Sequence, residues 1–567
     1  YKTTLILGLV FVFITNIFAI YPAEFVRNAL DGLLDKLNDK DTKDISLLLI
    51  KYGCLIVLFA ILKVVFLYLT RQTIIVMSRK IEYDLKNEVY EKYQKLSIEF
   101  YKKNRTGDLM NRITEDITKV RMYLGPAIMY AINLSFLFSL IIYKMLLVST
   151  VLTTYVLFPL PILALSVYFV SNRINKKSEK VQAQLSTITA ISQESFSGIR
   201  IIKSFTNEEN SLYVFYQSCK EYTQRQIELI KIEAMFIPLI ITLIGISTVL
   251  TIYIGGLEVF KGNITTGNIA EFIIYVNMLA WPVASVGWVT SLVQRAAASQ
   301  ERINEFLQKK ENIYNTNNTD TSIIGKIEFN DVSLIYSDTN IEALTKINLT
   351  INTGKQIGIF GKTGSGKTSI VNLICRLYDA NDGEIKIDNK NIRSHNLNIL
   401  RSSIGYVPQD GYLFSGTIKD NIGFAKDDIN EAEIENAARK AEMLDEINSF
   451  PNKFNTIIGE RGIQLSGGQR QRLAIARVFY KDPQLYIFDD CLSAVDANKE
   501  QKILNNLKQE TKNKTTIIIS HRISTIEESD NIIVLDKGKI IEEGSHKQLL
   551  KNQSFYSQIH VNQIHNQ

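Results

Sequence analysis

The loop Gly361, Lys362, Thr363, Gly364, Ser365, Gly366, Lys367 and Thr368 has the residue types and spacing to hold a nucleoside triphosphate. It follows an apolar run, residues 356–360, and opens a stretch with helical patterning, residues 369–377. Glycines let backbone N–H groups approach phosphate oxygens, and a helix that follows aims its positive N-terminus at them. In that context Lys367 is expected to reach the β and γ phosphates and the Thr368 hydroxyl to bind Mg²⁺, which makes ATP and Mg²⁺ the expected cofactors. A second apolar run, residues 485–488, delivers Asp489 and Asp490 to a strand end, where open α/β sheets bind ligands. Asp489 is the expected second holder of Mg²⁺. A capping role for the two acids is the bland alternative, but a cap would not require a preceding apolar strand.

These groups need a scaffold that gathers loops. Runs at 326–334, 355–360, 383–387, 484–488, 515–520 and 531–536 have strand character and alternate with helical stretches, which argues for an α/β core beginning near Ile323. Residues 311–322, with Asn-Thr-Asn-Asn-Thr-Asp at their centre, are polar and nonperiodic and mark a connector. Ahead of it the chain changes character. A helix needs about 20 apolar residues to cross roughly 30 Å of hydrocarbon. Six segments qualify: 4–21, 45–70, 122–147, 148–171, 234–256 and 269–293. The third and fourth are expected to form a hairpin, with its turn near Lys144 to Thr150. Segments 71–121 and 172–233 are rich in Lys and Arg, which places them on the cytoplasmic side, and the even number of spans puts both chain ends there too. Both segments carry apolar residues at helical spacing, so the spans are expected to run on as helices into the cytosol.

A chain of 567 residues is too long for one ordinary core. The expected organisation is a permease domain over 1–310, a linker over 311–322 and a nucleotide-binding domain over 323–567. The net charge of +6 invites a nucleic-acid reading. The basic residues, however, concentrate beside the spans, so membrane lipid and no nucleic acid is expected. Cys54, Cys219, Cys375 and Cys491 are scattered, without the spacing of a metal site or disulfide framework. Residue 1 is Tyr, and the first apolar run continues into an acidic loop without a small-residue cleavage site. Lys63, Trp281, Pro282 and Trp288 lie within spans; an intramembrane Lys invites a substrate-site reading, with snorkelling or bundle packing as the alternative, the tryptophans fit interface anchoring or packing and the proline a tolerated kink, so no substrate contact is assigned.

The stretch Leu465-Ser466-Gly467-Gly468-Gln469, about a hundred residues after the phosphate loop, resembles the signature motif of ABC transporters. The resemblance covers nearly the whole chain. It implies that Tyr336 stacks on adenine, that Gln409 senses Mg²⁺ and the attacking water, and that His521 is the switch histidine near the γ phosphate. Ser493-Ala-Val-Asp496 matches the loop that crosses between protomers, and Thr456-Ile-Ile-Gly-Glu-Arg-Gly462 the loop that touches coupling helices. Residues 100–112 and 197–206 resemble the two coupling regions of type IV exporters. In this family Ser466, Gly467, Gly468 and Gln469 cap the ATP held by the opposite motor domain. One motor and six spans therefore look like a half-transporter that must dimerise. The implied fold is a polytopic α-helical membrane domain, six transmembrane helices with long cytoplasmic extensions, fused to an α/β P-loop ABC ATPase domain in the inner (plasma) membrane.

One position departs from the family pattern. Most members place Glu directly after the acidic strand, where this chain has Asp490. One methylene fewer draws the carboxylate back by roughly 1.5 Å, and misplacement on that scale costs about a hundredfold in rate. The stretch 488–496 resembles the degenerate-site member of heterodimeric bacterial multidrug exporters, so a heterodimer is slightly favoured over a homodimer. The expected activity is ATP-driven export of amphipathic or lipid-like compounds by alternating access. The alternatives are a lipid flippase and an ATP-binding regulatory subunit that hydrolyses slowly.

Overall fold

The computed structural model describes residues 1–38, 45–315, 322–459, 465–493, 495–552 and 554–565. They form two compact units. The first contains Tyr1–Lys92 and Gly107–Lys309, and the second contains Tyr93–Thr106 and Lys310–Gln567.

Among the described residues, six helices are long and apolar enough to cross a membrane, and their apolar parts lie in the first unit: Lys2–Leu37, Ile45–Lys95, Thr106–Val148, Thr150–Ser197, Glu208–Phe260 and Thr266–Leu307. Several outrun their apolar segments because amphipathic, charged sequence continues the same helix. The third and fourth spans do form a hairpin. Ser149 breaks the helix with extended backbone (φ −159°, ψ 117°) and caps the next one, its hydroxyl accepting the Leu152 N–H at 3.2 Å. The bundle packs around Ile141, Met145, Leu152, Leu163, Phe272 and Tyr275, all fully buried. Polar side chains also tie the spans together. Asn16 donates to the Asn133 amide oxygen at 3.0 Å, Lys144 pairs with Glu24 at 2.9 Å, and Arg27 meets the buried Glu271 at 3.1 Å.

The second unit contains twelve strands among its described residues: β1 Ile327–Tyr336, β2 Ile341–Ile351, β3 Gln356–Gly361, β4 Asp382–Ile387, β5 Lys390–Asn391, β6 Ile404–Val407, β7 Gly416–Thr417, β8 Ile457–Ile458, β9 Leu485–Asp489, β10 Thr515–Ser520, β11 Asn531–Asp536 and β12 Lys539–Gly544. An antiparallel sheet has the order β2-β1-β4-β5, and a mostly parallel sheet the order β12-β11-β3-β10-β9-β6. β9 reads as a nearly continuous apolar run because both faces of a parallel sheet are covered; β9 and β10 are buried at every position. The helix after the phosphate loop runs Lys367–Ile374, two residues earlier at its start than the patterning predicts. Arg376, in the left-handed region at φ 47°, turns the chain just past its end.

Residues 93–106 pack within this second unit. They include the short helix Ile98–Lys103. Lys103 bonds to both Glu99 and the Ser337 hydroxyl at 2.9 Å, Ser337 donates to Glu99, and the Lys102 ammonium lies 4.8 Å from the centre of the Tyr336 ring.

Candidate nucleotide site

Parallel pairing explains how distant sequence segments meet. β3, β10, β9 and β6 are neighbours, with Phe360 opposite Ser520, Ile519 opposite Asp489, and Phe488 opposite Val407. Their carboxyl ends therefore lie side by side. β3 opens the phosphate loop, β10 leads to His521, β9 delivers Asp489 and Asp490, and β6 leads through Pro408 to Gln409.

The phosphate loop owes its shape to glycine. Gly366 sits at φ 102°, and a Cβ there would lie 2.5 Å from the Ala343 carbonyl oxygen, so a larger residue would force the loop away. The Lys367 ammonium donates to the Gly361 carbonyl at 2.7 Å and the Lys362 carbonyl at 2.9 Å, spanning the mouth of its own loop. Burial lowers the Lys367 pKa, while the Asp490 and Asp489 carboxylates act in the opposite direction. The Lys362 ammonium lies 5.3 Å from the centre of the Phe555 ring.

The Tyr406 hydroxyl donates to the Asp489 carboxylate at 3.4 Å, and the Thr368 hydroxyl also favours its charged form. Burial pushes the Asp489 carboxyl above its ordinary value, against the effect of those two hydroxyls. A hydroxyl and a buried carboxylate that favours neutralisation are hard oxygen donors suited to Mg²⁺. Beside them Asp490 joins two further predicted residues. One of its oxygens lies 2.8 Å from His521 Nδ1, and the other accepts from the Gln409 amide at 3.4 Å. Asp490 itself occupies the left-handed region at φ 47°, which Asp tolerates better than most residues. Its N–H bonds to the Ile519 carbonyl at 2.9 Å, and its carbonyl accepts the Ser493 hydroxyl at 3.0 Å.

Tyr336 ends β1, and its hydroxyl is held by Ser369 at 2.9 Å and Asn372 at 3.2 Å. Tyr378 packs edge-on against it with ring centres 5.1 Å apart. The signature residues begin the helix Gly467–Lys481. Ser466 and Gln469 form a reciprocal capping box: the Ser466 hydroxyl accepts the Gln469 N–H at 3.2 Å, and the Gln469 amide oxygen accepts the Ser466 N–H at 2.8 Å. Glu446 anchors that helix start by accepting from Gln469 at 3.0 Å and pairing with Arg472 at 2.9 Å.

Known families match both parts of the chain. The family described as ABC transporter transmembrane region matches residues 5–283, and the ABC transporter family matches residues 344–493. The chain is 35% identical over 463 residues to the probable multidrug resistance ABC transporter ATP-binding/permease protein YheI of Bacillus subtilis (strain 168), covering 81% of this chain and 79% of that protein. The chain belongs to the ABC transporter family. It is also 34% identical over 488 residues to the ATP-dependent lipid A-core flippase of Syntrophus aciditrophicus (strain SB), covering 85% of this chain and 80% of that one. A bacterial Atm1-family ABC exporter solved with ATP bound shares the fold, with a TM-score of 0.81 at 24% identity over 99% of this chain and 98% of that chain. As an ABC transporter the chain is a multi-pass membrane protein that binds nucleotide, with a cytoplasmic ATPase domain.

Sequence reasoning missed the residues that support this site. Tyr406 adjoins Gln409 in Tyr-Val-Pro-Gln, and its position at a strand end was a usable signal. Gln563 had none. From the C-terminal helix Phe555–His565 its amide donates to the His521 carbonyl at 2.8 Å and accepts the Ile523 N–H at 3.0 Å. That pair of bonds fixes the backbone on either side of Arg522, immediately after β10. In the two motif loops at 456–462 and 493–496, residues 460–462 and 494 lie outside the described residues.

Proposed function

We propose that this chain is one half of an ATP-driven exporter of amphipathic or lipid-like compounds, with domains at 1–310 and 323–567 joined by 311–322. The convergence of Lys367, Asp489, Asp490, Gln409 and His521 on four adjacent strand ends is the observation that carries the reading. In this proposal Lys367 and the loop N–H groups hold the β and γ phosphates, Tyr336 receives adenine on its ring face, and Thr368 with Asp489 and Gln409 holds Mg²⁺, which would offset phosphate charge. Asp490, aligned by His521 and Gln409, orients the attacking water. Ser466 and the glycines after it close on the nucleotide of a second half-transporter.

Exposed apolar side chains support the need for that partner. Phe196, Ile201 and Phe205, on and beside the short helix Ile199–Ser204, are 65–78% exposed in the single chain. Two motors closing together would shift the spans between inward and outward access. The Asp at position 490 favours a heterodimer whose partner carries Glu, with slow turnover at this chain's own site. A lipid flippase is the second reading, supported by the resemblance to the lipid A-core flippase.

The test is ATP-dependent movement of a labelled lipid and of a soluble amphipath in proteoliposomes, with Lys367→Ala as the comparison. Movement that stops in the variant supports the mechanism, and which probe moves separates flippase from pump. Transport that survives Lys367→Ala would refute it.

A further inference from the structure

The C-terminal helix Phe555–His565 contacts two loops of the candidate nucleotide site. At its start the Phe555 ring lies 5.3 Å from the Lys362 ammonium, and the buried Tyr556 ring packs edge-on against Phe360, the residue before the phosphate loop, at 5.7 Å. Near its other end Gln563 bonds to the His521 carbonyl at 2.8 Å and the Ile523 N–H at 3.0 Å. Eleven residues are too few for an isolated helix to be stable in water, so this one depends on its docking. Part of the docking surface titrates near neutral pH. The Tyr556 hydroxyl lies 2.8 Å from Nδ1 of the half-buried His546, which opens the helix His546–Lys551. The His560 ring, four residues on from Tyr556 and hence on the same face of its helix, stands 5.4 Å from the His546 ring.

From these contacts we propose that the C-terminal helix positions the loop that carries His521, and that His546 and His560 make its docking weaken as the cytosol acidifies. The proposal rests on the reading of His521 and the phosphate loop as parts of the nucleotide site, and deepens it to a regulation of that site. Tyr556 and His560 both belong to the docking helix, so undocking returns the His546 imidazole to water. Among the described residues, the charged and titratable groups at this contact are Glu527, just past the short helix Ile523–Ile526, Glu542 on β12, whose carboxylate accepts the Tyr556 N–H at 3.3 Å, and Tyr556 and His560 themselves. Burial lowers the His546 pKa; Glu527 acts against that and His560 adds to it. The undocked state therefore binds the proton more readily. Docking is at full strength above the ordinary imidazole value of 6.5 and weakens as pH falls below it, by up to about tenfold per pH unit for one proton, until the lowered docked value is passed. A helix that lets go withdraws Gln563 from both sides of Arg522, and the backbone of His521 loses its support.

Amide hydrogen exchange of the full chain in lipid nanodiscs, read relative to the intrinsic rate at each pH, follows the docking of 555–565 and the order of 521–526 in one experiment. From about pH 7.5 to about pH 5.5 both segments are expected to lose protection together, at least about threefold, while the amides of β9 and β10 stay protected. His560→Gln removes the second imidazole and is expected to reduce the loss. The double variant His546→Phe, Tyr556→Phe keeps two rings in contact without a titrating group and is expected to abolish it. Gln563→Ala cuts the link: 555–565 should still respond to acid, while 521–526 is less protected at every pH and no longer follows. No acid loss in the native chain, or an equal loss in the double variant with β9 and β10 intact, overturns the pH-dependent docking. A loss at 555–565 that 521–526 does not follow in the native chain overturns the positioning role. Coupling between two sites is reciprocal, so ATP with Mg²⁺ should raise protection of 555–565 about fivefold or more in the native chain but not in Lys367→Ala. No rise in the native chain overturns the link to the nucleotide site. The two readings fail separately: an equal rise in Lys367→Ala sinks the assignment of the phosphate loop and leaves the acid response standing, whereas a rise lost in Lys367→Ala without any acid response sinks the histidine device alone.

Discussion

Replacing Asp490 by Glu tests the proposed hydrolytic role of this position most directly. The main chain at this position is fixed on both sides, by the Ile519 carbonyl at 2.9 Å and the Ser493 hydroxyl at 3.0 Å, so an added methylene lengthens the side chain rather than moving the strand end. The carboxylate then reaches about 1.5 Å further, the length of one C–C bond. In the native chain the shorter carboxylate is already held by His521 at 2.8 Å and more loosely by Gln409 at 3.4 Å. Those bonds draw it toward the histidine, and the longer side chain can keep His521 while advancing toward the water. A misplacement of about 1 Å costs about a hundredfold, or roughly 2.7 kcal/mol of barrier. Asp490→Glu is therefore expected to raise kcat for steady-state phosphate release about 10- to 100-fold, with KM for ATP changed less than about twofold because no phosphate contact is altered. Glu is less at ease than Asp at φ 47°, so a small loss of thermal stability should accompany the gain. The assay uses the purified chain in lipid bilayers, with Lys367→Ala as the blank and Asp490→Asn as the floor. A variant with kcat no higher than native, while Asp490→Asn falls to the blank, would show that the native Asp already reaches the water and would refute the argument from length.

Three other outcomes follow from named contacts. Tyr336→Ala removes a ring that Ser369 and Asn372 hold in place, and loss of one base-stacking contact of about 1–3 kcal/mol should raise the Kd for ATP roughly 5- to 160-fold, measured by titration with a fluorescent nucleotide. Gln563→Ala should lower kcat severalfold while leaving KM for ATP unchanged, because its bonds reach the His521 carbonyl and the Ile523 N–H but no part of the phosphate loop; a change confined to KM would contradict that. The carboxyl of Glu99 is held below its ordinary value by the Ser337 hydroxyl and then by Lys103. Its contribution to docking of residues 93–106 is full above the unfolded value of 4.5 and is lost as pH falls through the lowered folded value. Protection of the amides of 98–103, measured as exchange relative to the intrinsic rate at each pH, should fall on acidification in the native chain, and Glu99→Gln should be less protected at neutral pH with little further change on acidification.

Local chemistry made much of this protein readable in its sequence. Six spans follow from apolar length alone, because hydrocarbon leaves a backbone no partner except its own helix. The phosphate loop and the acidic end of β9 follow from residues whose chemistry has few other uses in a strand-loop-helix setting. The Ser149 break could be placed because two apolar spans too long for one crossing had to turn somewhere.

What tertiary structure decided is everything that depends on which strand lies beside which. Asp490, Gln409 and His521 are separated by up to about a hundred residues in sequence, and only the order β3-β10-β9-β6 makes their side chains partners. β2 and β12 carry charged or polar residues through much of their length and become strands through pairing with β1 and β11; only the alternation of 347–351 in β2 announces one locally. Gln563 acquires its place beside His521 only because the C-terminal helix packs there, with the buried Tyr556 ring edge-on to Phe360 at 5.7 Å. The sequence by itself determined the kinds of chemistry this chain can perform, since those reside in individual side chains; the fold alone determined their distances, since these are set by long-range packing.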